Sequence, residues 1–378
     1  MGIRMLNKFL QDKCKNSITR INLSDLAGKK IAVDISIYLY KFLSENALLE
    51  NLYLMISIFR EHDITPIFVF DGKPPVEKND TIAYRKKTKT TAREEYYRLK
   101  QILETIESDA DATATDDDDS GIENSSTPTP TTVVEFDEDT TIHIPSTTAD
   151  IRTMMEKLKK KFVILKHEHI QNAKMLLQAY GMTYIESPGE ADMLCAKLVS
   201  KNMVYACLSE DTDMFVYGCK RVLRYLSLSS WSAILYDFQE IINTLDMTTY
   251  EFRQLCIMFG CDYLPKKENG NYKNTTIFAS YKMFKNYKEH LKNIINDTSS
   301  NDDSGDNHDF YKWLLSIDKN SETEMTHYIN EALKIIDLFD ISSYNGLELY
   351  DNIKIMNGPV DYDRLIEVMT KENFIFIT

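Results

Sequence analysis

Four carboxylates in two close pairs, Glu190 with Asp192 and Asp211 with Asp213, fall within one stretch, SPGEADMLCAKLVSKNMVYACLSEDTDMFVYG (187–218). Carboxylates are hard oxygen donors, and several drawn to one place repel one another unless cations sit between them. The chemistry this pattern could do is that of a divalent-metal site. Each acid also has a plain structural use. Ser187-Pro188-Gly189-Glu190 fits a capping box in which Glu190 returns to the Ser187 amide, Asp192 suits a first helical turn, and Asp211 and Asp213 suit a turn. Residues at i, i+2 do not share a helix face, so the metal reading needs acids from elsewhere in the chain.

Periodicity shows which elements would carry them. Met193, Leu194, Cys195, Leu198 and Val199 recur at helical spacing, with the helix expected to begin at Ser187-Pro188. Residues 204–208 read as a buried strand, which puts Asp211 and Asp213 just past its C-terminal end, where open α/β sheets bind ligands. Two earlier apolar runs close on acids in the same way: IAVDIS on Asp34 and PIFVFDG on Asp71. Strand, helix, strand with acids at like ends is the pattern of a parallel sheet. Residues 1–10, 46–61, 250–259 and 277–295 read as amphipathic helices, 222–236 as short strands, and His167 and His169 as a solvated turn.

Composition sets the class. The chain has 378 residues, 43% of them hydrophobic, enough for one large or two ordinary domains. No apolar run approaches the roughly 18 residues that span a bilayer, and the six cysteines show no zinc spacing, so reduced thiols in an intracellular protein are expected. A net charge of −14 looks wrong for a nucleic-acid binder. Residues 107–139, however, hold twelve Asp or Glu and no Lys or Arg; without them 46 acids face 44 bases. Two basic stretches flank this insert: nine bases against four acids over 73–100, and seven against two over 152–174. The first contains Lys78, Arg85, Lys86, Lys87 and Arg93 on a helical pattern suited to phosphate contacts. The tract 107–149 reads as a mostly disordered acidic insert.

MGI at the start, VDIS, FVFDGKPP, SPGEAD, SEDTDMF and GCDY, in that order over most of residues 1–265, resemble the flap endonuclease/XPG family of structure-specific 5′ nucleases. The resemblance implies an α/β fold with a mostly parallel central sheet flanked by helices, a helical arch and a helical C-terminal part. The chain would then divide into nuclease segments 1–106 and 150–265, the insert 107–149 in the arch, and a DNA-binding region 266–378. It implies metal ligation by Asp34, Asp71, Glu190, Asp192, Asp211, Asp213 and Asp262, with two Mg²⁺ ions and Mn²⁺ as a substitute. The family often has Glu where this chain has Asp192. Lys78 and Arg85 match basic residues that reach the scissile phosphate, Tyr40 an aromatic that stacks on a base, and Gly2 a residue at the DNA-facing N-terminus.

The glycine-rich hairpin that binds a potassium ion in the family is replaced by LPKKENGNYKNTT, with only Gly270 available. Lys266, Lys267 and Lys273 are expected to contact phosphate in its place, and the missing glycines put the K⁺ site in doubt. No sliding-clamp motif closes the chain. The expected activity is Mg²⁺-dependent cleavage of DNA at 5′ flaps, nicks or gaps by a monomer, in the nucleus or at a viral replication site. The alternatives are a Holliday-junction resolvase of the same family and a structure-selective DNA-binding protein without catalysis.

Overall fold

The computed structural model describes residues 2–113, 147–264, 276–297, 309–317, 324–342, 347–371 and 374. Most of the acidic insert, the hairpin with Lys266, Lys267, Gly270 and Lys273, and residues 375–378 lie outside them. The chain separates into two compact units, one of Met1–Ile82 with Leu165–Thr378 and one of Ala83–Ile164.

The first unit is built on a seven-stranded sheet. Its strands are β1 (Ile18–Asn22), β2 (Lys30–Asp34), β3 (Thr65–Phe70), β4 (Thr183–Glu186), β5 (Ala206–Leu208), β6 (Arg221–Ser227) and β7 (Ser232–Asp237), in the order β1-β7-β6-β5-β2-β3-β4. Strands β4, β3, β2, β5 and β6 are parallel, and β7 runs antiparallel between β6 and β1. Alternation along the central strands feeds two cores. Ala32, Ile67, Val69 and Cys207 face one, and Ile31, Val33, Phe68, Phe70 and Leu208 the other, as a sheet covered on both faces requires. Helices Ile35–Ser44, Leu48–Glu61 and His167–Ala179 contribute to the second core; Leu6–Lys13, Ala191–Ser200, Phe238–Leu245 and Thr249–Phe259 contribute to the first. The chain moves from β2 to β3 and β4 on one side, then crosses to β5 and β6 on the other. The reversal between β2 and β5 is the topological switch point of the sheet. No helix among the described residues is long and apolar enough to cross a membrane.

The second unit pairs the long helix Asn79–Thr113, which starts in the first unit, with Thr148–Lys161. Ala92, Leu99, Leu103, Ile151 and Leu158 form its small core, and Arg152 pairs with Glu107 at 2.6 Å. Helix therefore runs several residues into the tract expected to be disordered. Helix formation is cooperative, and a helix already nucleated can continue through acidic residues. Two other expectations need correction. His167 and His169 open a helix, where the His169 Nδ1 accepts the Lys166 amide at 3.2 Å. The helix expected from Ser187 begins at Ala191, because the Ser187 amide is taken by the Phe70 carbonyl at 2.9 Å and its hydroxyl by the Glu190 carbonyl at 2.9 Å.

Gly181, read in sequence as a helix stop, sits at φ +71°. Its carbonyl accepts the Gly358 amide at 2.7 Å, and the Ala179 carbonyl accepts the Asp361 amide at 2.8 Å. The segment before the helix Tyr362–Thr370 is thereby laid against the end of the helix His167–Ala179 and the turn that leads to β4. A Cβ at Gly181 would come within 2.7 Å of Gly358. Gly181→Ala combines left-handed strain with that clash, so we expect a loss of about 1–3 kcal/mol. Chemical denaturation measures the loss, and limited proteolysis should cut faster between residues 342 and 361.

Candidate active site

The acidic residues converge because the parallel strands deliver them to one edge. Asp34 ends β2, Asp71 follows β3, Glu190 and Asp192 follow β4, and Asp211 and Asp213 follow β5. Two backbone bonds bind the segments after β3 and β4 together: Ser187 N–H to Phe70 O, and Gly72 N–H to Gly189 O at 2.7 Å. A Cβ on Gly72 would overlap the Ser187 carbonyl, so this approach needs glycine. The result places Asp71 at the start of the helix Ala191–Ser200, its Oδ1 accepting the Ala191 amide at 2.9 Å. Glu190 is the N-cap of that helix and lies outside it. Glu190 and Asp192 are therefore not bound by the helical spacing that would turn them apart.

Beyond β5 a short relay fixes the next pair. The Ser209 hydroxyl donates to Asp34 Oδ2 at 2.9 Å and accepts the Asp211 amide at 3.1 Å, and Asp211 Oδ1 accepts the Asp213 amide at 3.0 Å. Asp192, Asp211 and Asp213 each present an oxygen within 4.8 Å of the others. At that separation two like charges repel by on the order of 3 kcal/mol at an effective dielectric of 20. Both oxygens of buried Asp213 lack a hydrogen-bond partner. Three carboxylates this close together, one of them buried with both oxygens unpartnered, fit a hard divalent cation. All seven acids share one electrostatic field. Burial and the neighbouring Asp71 and Asp211 push Asp34 up to about 8. Burial, then Glu190 and Asp211, holds Asp192 well above the usual carboxylate range. Burial, then Asp211 and Asp262, does the same to Asp213. Asp262 arrives on the turn after the helix Thr249–Phe259, where Gly260 adopts φ +120° and the Asp262 carbonyl accepts the Thr81 hydroxyl at 2.7 Å.

Lys78 is buried and its ammonium donates to Glu190 Oε1. Burial alone would lower its pKa; Glu190, Asp192 and Asp213 outweigh that and hold it above the usual lysine value. Tyr263 donates to the other oxygen, Glu190 Oε2. Gly2 lies directly against the acids: a Cβ there would overlap Asp211 Oδ1, Thr212 Oγ1 and Asp213 Oδ1, and its φ of +75° suits glycine. Tyr40 is exposed on the helix Ile35–Ser44. Arg85, Lys86, Lys87 and Arg93 belong to the second unit. There Lys86, Lys87 and Arg93 are exposed, and Arg93 lies over the Tyr97 ring at 5.8 Å. Ser209 and Tyr263 were not singled out from sequence. Both stand inside motifs, SEDTDMF and GCDY, in which only the acids carry a recognisable metal-binding signal.

Residues 1–92 match the model of the XPG N-terminal domain and residues 181–262 that of the XPG I-region. The chain belongs to the flap endonuclease/XPG family of nucleases. It is 28% identical over 313 residues to the probable RAD2-like endonuclease 369L of Invertebrate iridescent virus 6, covering 75% of this chain and 71% of that one. It is 29% identical over 301 residues to flap endonuclease 1 of Glossina morsitans morsitans, covering 75% and 66%. Other flap endonucleases are spanned over about 60% of their length. The fold is similar to the catalytic core of Rad2 in complex with DNA substrate, with a TM-score of 0.58 at 20% identity over 98% of this chain and 94% of that one. It is also similar to the Holliday junction-resolving enzyme GEN1 in complex with product DNA and Mg²⁺, with a TM-score of 0.54 at 18% identity over 96% and 72%.

The repulsion within the acidic cluster makes a measurable expectation. Asp213→Asn removes an ionisable carboxylate that sits among like groups with neither oxygen hydrogen-bonded, so at pH 8 in EDTA the variant should melt about 2–4 °C higher than the parent. Adding Mg²⁺ should raise the parent's Tm and leave the variant's nearly unmoved. Differential scanning fluorimetry reads both. A lower Tm for Asp213→Asn in EDTA would mean the carboxylate stabilises the fold.

Proposed function

We propose that this nuclease hydrolyses DNA phosphodiesters at 5′ flaps, nicks or gaps, with two Mg²⁺ ions held by Asp34, Asp71, Glu190, Asp192, Asp211, Asp213 and Asp262. The observation that carries the reading is the convergence of all seven acids on one electrostatic cluster, with Asp192, Asp211 and Asp213 within 4.8 Å and both Asp213 oxygens unpartnered. Divalent cations, when bound, supply the charge that shields the phosphate and acidifies water at neutral pH. The chain's own residues do the rest. The carboxylates hold their geometry through Ser209, the Ala191 amide and Tyr263, so little reorganisation is needed as charge develops. Lys78 carries a proton at any assay pH and can offer its charge to the phosphate. Arg85 adds a guanidinium with a bidentate fork. Gly2 allows close backbone approach at the acidic cluster. Tyr40 offers a ring for a base to stack on, and Lys86, Lys87 and Arg93 offer exposed charge for the backbone.

The test separates chemistry from binding. Asp211→Ala should abolish cleavage of end-labelled 5′-flap DNA in Mg²⁺ while flap binding, read by fluorescence anisotropy in Ca²⁺, stays within a few fold. Lys78→Ala and Arg85→Ala should each lower kcat by about 10²–10³ with a small change in KM. Retained cleavage by Asp211→Ala would refute the metal reading, and equal loss of binding and cleavage would make the acid structural.

A further inference from the structure

Both oxygens of Glu190 are occupied by side chains: Lys78 on Oε1 and Tyr263 on Oε2. The two partners differ in kind. Lys78 is a flexible cation that the proposed chemistry needs at the phosphate. Tyr263 is a ring locked in a packed layer. Its face and edge meet Phe339 with centroids 5.2 Å apart at 88°, and Lys78 Nζ lies 5.3 Å from its centroid. Its hydroxyl stands 3.1 Å from the buried Tyr217 hydroxyl. A carboxylate only accepts, so the Tyr263 proton goes to Glu190 and its oxygen is left to accept from Tyr217. Tyr217 in turn packs on Phe339 at 5.1 Å. Two tyrosines thus form a buried chain of donors ending on one oxygen of one acid.

We infer that Tyr263, backed by Tyr217, is the positioning residue that fixes Glu190, so that Lys78 and a divalent cation compete for the carboxylate while its orientation stays constant. This rests on the metal reading given above. In the cation-free chain Lys78 acts as the internal counter-charge of the cluster, and it feels Asp192 and Asp213 as well as Glu190. With a cation held by the carboxylates, Lys78 would no longer be needed as their counter-charge, and its ammonium would be available to the substrate. Such an exchange needs an acid that does not swing with the lysine when the lysine leaves. The hydroxyl of Tyr263 provides that anchor. Partners that orient a ligand in this way typically govern 10- to 100-fold in metal affinity.

The experiment titrates Mg²⁺ calorimetrically into the full chain without DNA, for the parent, Tyr263→Phe, Tyr217→Phe and Lys78→Met. Tyr263→Phe keeps the ring and its packing on Phe339 and loses only the donor. Its affinity for Mg²⁺ should fall about 10-fold, with a melting temperature in EDTA close to the parent's. Tyr217→Phe leaves the bond to Glu190 and should weaken binding less, by about 3-fold, a scaled-down version of the same effect. It carries the test should Tyr263→Phe fail to fold. Lys78→Met removes the competitor and should bind Mg²⁺ as tightly as the parent or more so. Parent-like affinity in both tyrosine variants would overturn the inference, as would a loss in Lys78→Met equal to that in Tyr263→Phe. A parent that binds no Mg²⁺ would overturn the metal reading itself, which distinguishes the two failures.

Discussion

Mutual repulsion among buried carboxylates is the constraint that the rest of this fold answers. Nothing in a polypeptide gains by gathering Asp34, Asp192 and Asp213 into a nearly dry site, and burial with like-charged neighbours pushes all three upward. The fold opposes this with a two-sided core. Ala32, Ile67 and Cys207 on one face of the sheet and Val33, Phe68 and Leu208 on the other are fully buried, or nearly so. Parallel strands then have no choice about where their C-terminal ends lie. The crossover between β2 and β5 brings acids from four strands to the switch point. What remains is charge, and Lys78 is the internal cation that partly offsets it.

Much of this was readable in the chain because the relevant signals are local. The runs that end on Asp34 and Asp71 are continuous apolar strands, and both form as read. The switch to helical spacing at Met193 to Val199 also stands. The error at Ser187 is instructive. Ser-Pro-Gly-Glu is a sound capping box, yet the Ser187 amide pairs with Phe70, more than a hundred residues away in sequence. Tertiary pairing of β3 with β4 and the segment beyond it outcompeted a local cap. β1 and β4 carry mixed burial, and neither gives a clean alternation to find.

The site divides by the same logic. The acids are recognisable by type, since few residues can serve a hard cation. Their supports are not. Ser209, Tyr217 and Tyr263 are ordinary residue types, and what makes them matter is an oxygen placed about 3 Å from another by remote chain. The Gly2 conformation belongs to this group too, because only the position of Asp211 and Asp213 shows why a side chain there would not fit. The basic helix is half legible. Its charge is plain in sequence, while its division between core residues Ala92, Leu99 and Leu103 and exposed Lys86, Lys87 and Arg93 needed the packing partner Thr148–Lys161.

The central claim is that the acidic cluster exists to hold cations that cut DNA at a structural junction. Cleavage of end-labelled 5′-flap, nicked, blunt and four-way-junction DNA, in Mg²⁺ and in EDTA, tests it most directly. The account predicts Mg²⁺-dependent incision at the base of the flap, none in EDTA, and weaker cutting of the four-way junction. Symmetric cutting of the four-way junction alone would move the chain to the resolvases of its family. Binding of these substrates without incision in either Mg²⁺ or Mn²⁺ would contradict the account outright.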